Sequence, residues 1–136
     1  MTKTLPDKPS DLAELALRDM RKAIKSPRYH IHMGGWHIPN ETCAVCAAGA
    51  VMAFTLGASH DEHILPGCFS YLIKHKLLAI DCLRLGDVDR AFRELGLDYQ
   101  RAKRFNRDIP GYKESNHQPF FHEMRELVWD LRDAGY

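Results

Sequence analysis

Residues 42–57 read TCAVCAAGAVMAFTLG, two cysteines three apart followed by small and apolar side chains. How this run folds decides the rest. Cys43 to Leu56 is apolar nearly all the way round, the mark of a helix surrounded by others rather than lying on a surface. Asn40 or Thr42 is placed to cap its start, and Gly57 to end it in the left-handed conformation. The expectation is a buried central helix over about 42–56. Gly49 inside it costs about 1 kcal/mol relative to alanine, so its presence points to a neighbour packed too closely for a side chain.

The flanking segments supply the partners. Upstream, Leu12, Leu15, Ala16, Met20, Ala23 and Ile24 recur at helical spacing in SDLAELALRDMRKAIKSP. They predict an amphipathic helix capped by Ser10 and stopped by Pro27, with a charged outer face that needs no further role. Between these helices, RYHIHMGGWHIP alternates apolar and polar residues around Gly34-Gly35, which predicts a small hairpin or extended loop over about 29–38. Downstream, a helix is expected from about Cys68 to Leu85, with Phe69, Leu72, Ile73, Ile80 and Leu83 in its stripe. Gly86 ends it. Asp87 caps a short helix bearing Val88, Ala91, Phe92 and Leu95, and a turn from Asp98 through Phe105 follows. Pro119 opens a last helix carrying Phe120, Phe121, Met124, Leu127, Val128 and Leu131. The fold class is therefore mainly α: one globular domain over residues 1–136, five or six helices packed around the buried one.

Bulk composition bounds the function. The chain has 136 residues, 45% hydrophobic and 27% charged, the profile of a globular protein able to bury its own core. Nineteen basic against eighteen acidic residues leave a net charge of +1, which argues against a dedicated nucleic-acid binder. No apolar leader opens the chain, and the longest apolar run falls short of a membrane span, so a cytoplasmic location with reduced cysteines is expected.

Chemistry, if present, centres on Cys43 and Cys46. At the start of a helix a thiol meets unpaired amides that stabilise its thiolate, which makes Cys43 the candidate nucleophile. His30, His32 and His37 are the candidate bases. The layout resembles papain-like thiol hydrolases, but here the histidines precede the cysteine and that family's local signature is missing. C-x-x-C also suits a thiol–disulfide enzyme, though the alternating strands and helices of a thioredoxin-like fold are absent. Cys43 and Cys46 with His30 and His32 form a candidate zinc set, which no second ligand pair at finger spacing supports. His60 and His63 read as loop residues, and Cys68 and Cys82 stand alone. Against all of these stands the simpler reading that both cysteines are small core hydrophobes, and it carries more weight. No cofactor is favoured and no catalytic residue is assigned.

The stretch QRAKRFNR gathers Arg101, Lys103, Arg104 and Arg107 around Phe105. It is either the solvated face of a short helix or the place where an acidic protein surface docks. Walker-type, G-x-G-x-x-G and G-x-S-x-G motifs are missing, which lowers the case for nucleotide enzymes and serine hydrolases.

CAVCAAGAVMA, with GGWHIP upstream, resembles a segment shared by short uncharacterised proteins of tailed phages, C-x-V-C-x-A-G-A-V-M-A. The match covers residues 34–56. The resemblance implies a phage-type accessory protein acting inside a bacterial host, and it brings neither fold nor catalytic residues. The expected function is a small helical interaction protein that binds or inhibits a host protein. The alternative is thiol or zinc chemistry at the Cys43/Cys46 pair.

Overall fold

In the computed structural model, which describes residues 4–136, six α-helices and a small sheet enclose one core. The helices are α1 (Pro9–Lys25), α2 (Ala47–Phe54), α3 (Tyr71–Arg84), α4 (Val88–Glu94), α5 (Tyr99–Ala102) and α6 (Gln118–Asp133). The strands are β1 (Tyr29–Ile31), β2 (His37–Ile38) and β3 (Cys43–Val45), and short 3-10 turns cover Pro66–Cys68 and Lys103–Phe105. The mainly α class with a small β element is as the sequence indicates.

α2 is the central piece. Residues 47–52 are all buried, and α1 and α3 pack against the helix while the sheet closes its start. It begins at Ala47, five residues later than the apolar run suggested, because the first part of that run is a strand. Neither Asn40 nor Thr42 caps it; Cys46 does, its Sγ accepting the Gly49 amide at 3.3 Å. The physical reason is backbone pairing. β1 and β2 are too short to be stable alone, and their inner edges each need a partner. Cys43–Val45 supplies both: the Cys43 amide donates to the Arg28 carbonyl at 2.7 Å, and the His32 amide donates to Val45 at 2.9 Å. An apolar run buried on both faces reads the same as helix or strand, so periodicity could not separate them.

The expected hairpin over 29–38 is likewise rearranged. Both segments are strands, but they do not pair with each other. The sheet order is β1-β3-β2, with β1 parallel to β3 (Tyr29↔Cys43, Ile31↔Val45) and β2 antiparallel to it (His37↔Val45). Gly34 and Gly35 keep ordinary backbone angles rather than forming a left-handed turn.

Gly49 is where α2 meets this sheet. A Cβ there would lie 1.6 Å from the Trp36 carbonyl oxygen and 3.2 Å from the Val45 Cβ. The close neighbour that the sequence implied is the backbone of the segment entering β2.

Around α2, α1 buries Leu12, Leu15, Ala16, Met20 and Ala23 of its predicted stripe, while Ile24 in the last turn is exposed. Each fully buried leucine or methionine contributes on the order of 2 kcal/mol. Its cap differs from expectation: Lys8 holds the N-cap position, Pro9 sits in the first turn, and Ser10 is buried with its hydroxyl donating to the Tyr136 carbonyl at 2.9 Å. α6 packs along α1 and buries Phe120, Phe121, Met124, Leu127, Val128 and Leu131. α3 starts at Tyr71, after the Pro66–Cys68 turn, and buries Leu77, Ala79, Ile80 and Leu83; Leu72, assigned to its stripe, is instead 70% exposed. Asp87 is the N-cap residue of α4, but its carboxylate does not cap. Asn106 reaches back from the Lys103–Phe105 turn, and its Oδ1 accepts the amides of Val88 (2.8 Å) and Asp89 (3.0 Å).

Candidate functional site

The sheet assembles one chemically suggestive pair. Tyr29, Cys43, Val45 and His37 project to the same face, because residues opposite in register share a face and alternate residues repeat it. This brings Cys43 Sγ within 3.6 Å of His37 Nδ1 and 3.7 Å of Nε2. Of the three candidate bases, His37 is the one that meets the cysteine. Its Nδ1 lies 2.7 Å from the Glu62 carbonyl oxygen, which can only accept, so Nδ1 carries the hydrogen and Nε2 the lone pair. A thiol, an imidazole of fixed tautomer and a third orienting group are the parts from which thiol nucleophiles are built.

The geometry departs from that pattern in two ways. Sulfur nearly equidistant from both ring nitrogens cannot lie in the ring plane without striking the carbon between them, so it sits over the ring face and off the Nε2 lone pair. Both side chains are also closed off: His37 is 0% and Cys43 1% exposed. Burial lowers the His37 pKa and raises that of Cys43, so each is held in its neutral form. Tyr29, whose ring lies 6.3 Å from that of His37 and 5.1 Å from Phe54, is pushed up as well, first by burial and then by Cys43. As it stands the cluster is a packed, neutral corner of the core.

The other cysteine chemistry is separate. Cys46 caps α2 beside a cavity of about 200 Å³ lined by Trp36, Asp81 and Arg84, and burial pushes its thiol up to about 11. His30 pairs in register with Ala44 and so points to the opposite face from Cys43; it is exposed and hydrogen-bonded to the Thr42 hydroxyl at 2.6 Å. His32 is exposed at the end of β1. The structure thus does not draw Cys43, Cys46, His30 and His32 together, and among the described residues no three His, Cys, Asp or Glu side chains converge as metal ligands would. His60 and His63 lie exposed on the loop after α2, Cys68 is exposed, and Cys82 is half-buried with its thiol raised to about 11, mainly by burial.

The basic cluster is only partly free. Arg107 is tied to Asp130 of α6 at 2.6 Å, and Arg101 leans on Asp98 at 3.5 Å. Arg104 lies over the Phe105 ring at 4.7 Å, and Lys103 is exposed.

Two exposed features were not anticipated. Tyr71 (74% exposed) and Leu72 border a cleft of about 440 Å³ between α3 and α4, floored in part by the His75–Glu94 pair at 2.7 Å. Trp129, 68% exposed, stands on α6 beside the charged face of α1. The signal for Trp129 was available: it follows Val128 and falls outside the apolar stripe of its helix, where a tryptophan has no core to enter.

Among the described residues no helix is long and apolar enough to cross a membrane. Compared with known protein families, curated proteins and solved structures, the chain matches none.

Proposed function

We propose that this chain is a helical interaction protein that acts by binding another protein. The observation that carries the reading is where the large side chains sit. Tyr71, Leu72 and Trp129 are each about 70% exposed beside surface depressions, whereas the Cys43–His37 pair is sealed in the core. Aromatic and arginine side chains on a surface are the usual anchors of protein interfaces. The resemblance of residues 34–56 to tailed-phage proteins supports a phage accessory factor that binds or inhibits a host protein in the bacterial cytoplasm. The near-neutral net charge favours a protein partner over nucleic acid.

The test uses the full chain expressed in a bacterial host, with any bound host protein purified and the complex rebuilt from the two pure components. Cys43→Ala/Cys46→Ala is expected to lower stability and leave the rebuilt complex intact. A variant that folds but no longer binds would overturn the reading.

One observation favours thiol chemistry as the second reading: the His37 tautomer is fixed with its lone pair on Nε2, 3.7 Å from Cys43 Sγ. It requires Cys43, 1% exposed, to be uncovered, and a Cys43 thiol that labels rapidly near neutral pH is the result that would establish it.

A further inference from the structure

The facing sides of α1 and α6 carry an unbalanced set of charges. On α1, Arg18, Arg21 and Lys25 follow at spacings of three and four and form one row. On α6, Phe121, Arg125 and Trp129 follow at spacings of four and form a second row. Two adjoining depressions of about 340 and 210 Å³ run between the rows, and Arg21 and Arg125 line both. Ile24, 38% exposed, adds apolar surface above the buried Phe121 and Val128, and Trp129 stands at one end.

Three of the four cations here lack a carboxylate partner. Among the described residues no carboxylate lies within 4.0 Å of Arg21, Lys25 or Arg125. Glu14, the carboxylate lining the groove, is taken by Arg132 of α6 at 2.7 Å, which also holds its pKa low. Arg18 reaches no nearer than 3.6 Å to the buried Asp19. Arg21 is set over the Phe121 ring at 4.9 Å, so its guanidinium is positioned rather than waving in solvent. Like charges held along one groove repel in the free protein, and a carboxylate placed between them removes that cost.

We infer that the α1/α6 groove docks an acidic amphipathic segment of the partner protein, its carboxylates bridging Arg21 and Arg125 and an apolar side chain covering Trp129. The inference rests on the interaction reading above. It moves the docking surface away from Arg101, Lys103, Arg104 and Arg107, two of which already have carboxylate neighbours.

The experiment selects a random 16-residue peptide library on the purified full chain and measures the enriched peptides by fluorescence anisotropy. Peptides combining Asp or Glu with a large apolar residue are expected. Their affinity should fall at least tenfold in Arg21→Glu/Arg125→Glu and in Trp129→Ala, weaken with added salt, and hold in Lys103→Glu/Arg104→Glu. Circular dichroism melts confirm that each variant is folded, and Arg21→Gln/Arg125→Gln serves if the reversal is not. Acidic peptides indifferent to the groove variants but lost in Lys103→Glu/Arg104→Glu would overturn the groove and leave the interaction reading standing. Enrichment of peptides without acidic residues, or displacement of the acidic peptides by a single-stranded 16-nucleotide DNA, would overturn the stated partner chemistry. No enrichment at all would overturn both readings.

Discussion

Replacing Gly49 by alanine tests the packing of α2 directly, because two general rules disagree about the result. Helix propensity favours alanine by about 1 kcal/mol in an interior position. The local structure opposes it: the new Cβ would stand 1.6 Å from the Trp36 carbonyl oxygen. A comfortable carbon–oxygen contact is about 3.3 Å, so α2 and the segment entering β2 must separate by about 1.7 Å. Backbone atoms form that contact, and no side-chain rotation can relieve it. The separation pulls on the Cys46 amide, which donates to the same oxygen at 3.3 Å and has a net worth of about 1 kcal/mol. The added carbon also crowds Val45, whose Cβ lies 3.2 Å from it, and such overpacking typically costs about 1–3 kcal/mol. Against the propensity gain of about 1 kcal/mol, the net loss should be about 1–3 kcal/mol. For a chain of this length that corresponds to a melting temperature lower by roughly 4–12 °C. Urea denaturation followed by far-ultraviolet circular dichroism measures it as a lower midpoint at unchanged slope. Gly67→Ala is the control, since nothing lies within 4 Å of the Cβ it adds, and its midpoint should barely move. A Gly49→Ala midpoint equal to or above that of the parent chain refutes the reasoning.

Three further outcomes are expected. A thiol reagent at pH 7.5 should label one cysteine fast, because Cys68 is exposed while burial raises the thiols of Cys43, Cys46 and Cys82; Cys68→Ser should abolish the fast phase, and its survival would place a reactive thiol elsewhere. Asp19 is 0% exposed, its Oδ2 accepting from the Thr55 hydroxyl and its Oδ1 without a hydrogen bond though 3.6 Å from Arg18 and 3.9 Å from Lys22; burial outweighs these neighbours and raises its pKa above 3.8. The fold thus favours the protonated acid, whose stabilisation is full below the unfolded value and is lost as pH rises through the folded one. Relative to Asp19→Asn, the parent chain should lose stability as pH rises above about 4, and a flat or rising difference in denaturation free energy counts against this. Asn106→Ala removes the acceptor for two α4 amides and should cost about 1–2 kcal/mol by urea titration, whereas Asp87→Ala should cost less because its carboxylate caps nothing.

What could be read from the sequence follows from how local the determining contacts are. α1 and α6 were legible because one stripe of leucines, methionines and phenylalanines fixes a helix face without reference to the rest of the chain. Gly49 was legible because an exception to propensity needs a neighbour, even one not yet identified. The strand at Cys43–Val45 was not legible. Its conformation is set by pairing with residues 28–32 and 36–38, and an all-apolar triplet carries no period of its own. The helix-start environment expected for Cys43 disappeared with that change, since the cap position fell to Cys46. His37 stood among the candidate bases, but only the antiparallel register singles it out from His30 and His32. Leu72 and Trp129 show the converse: spacing says which side chains share a helix face, while which face is covered depends on the neighbouring helices. The unpartnered cations Arg21, Lys25 and Arg125 were hidden for the same reason, because the carboxylates that answer or fail to answer them belong to another helix.

The strand order β1-β3-β2 also constrains how the molecule forms. β2 and β3 are joined by only four residues, so closing that hairpin costs little chain entropy. β1 can add only along the other edge of β3, in parallel, and that contact closes a longer loop running through the whole of β2. Residues 37–45 should therefore come together early and residues 29–31 late. Substitutions at Ile38 are expected to slow folding, and those at Ile31 to quicken unfolding instead. The thiol–imidazole corner is then completed in order: His37 and Cys43 meet first, and Tyr29 closes over them last.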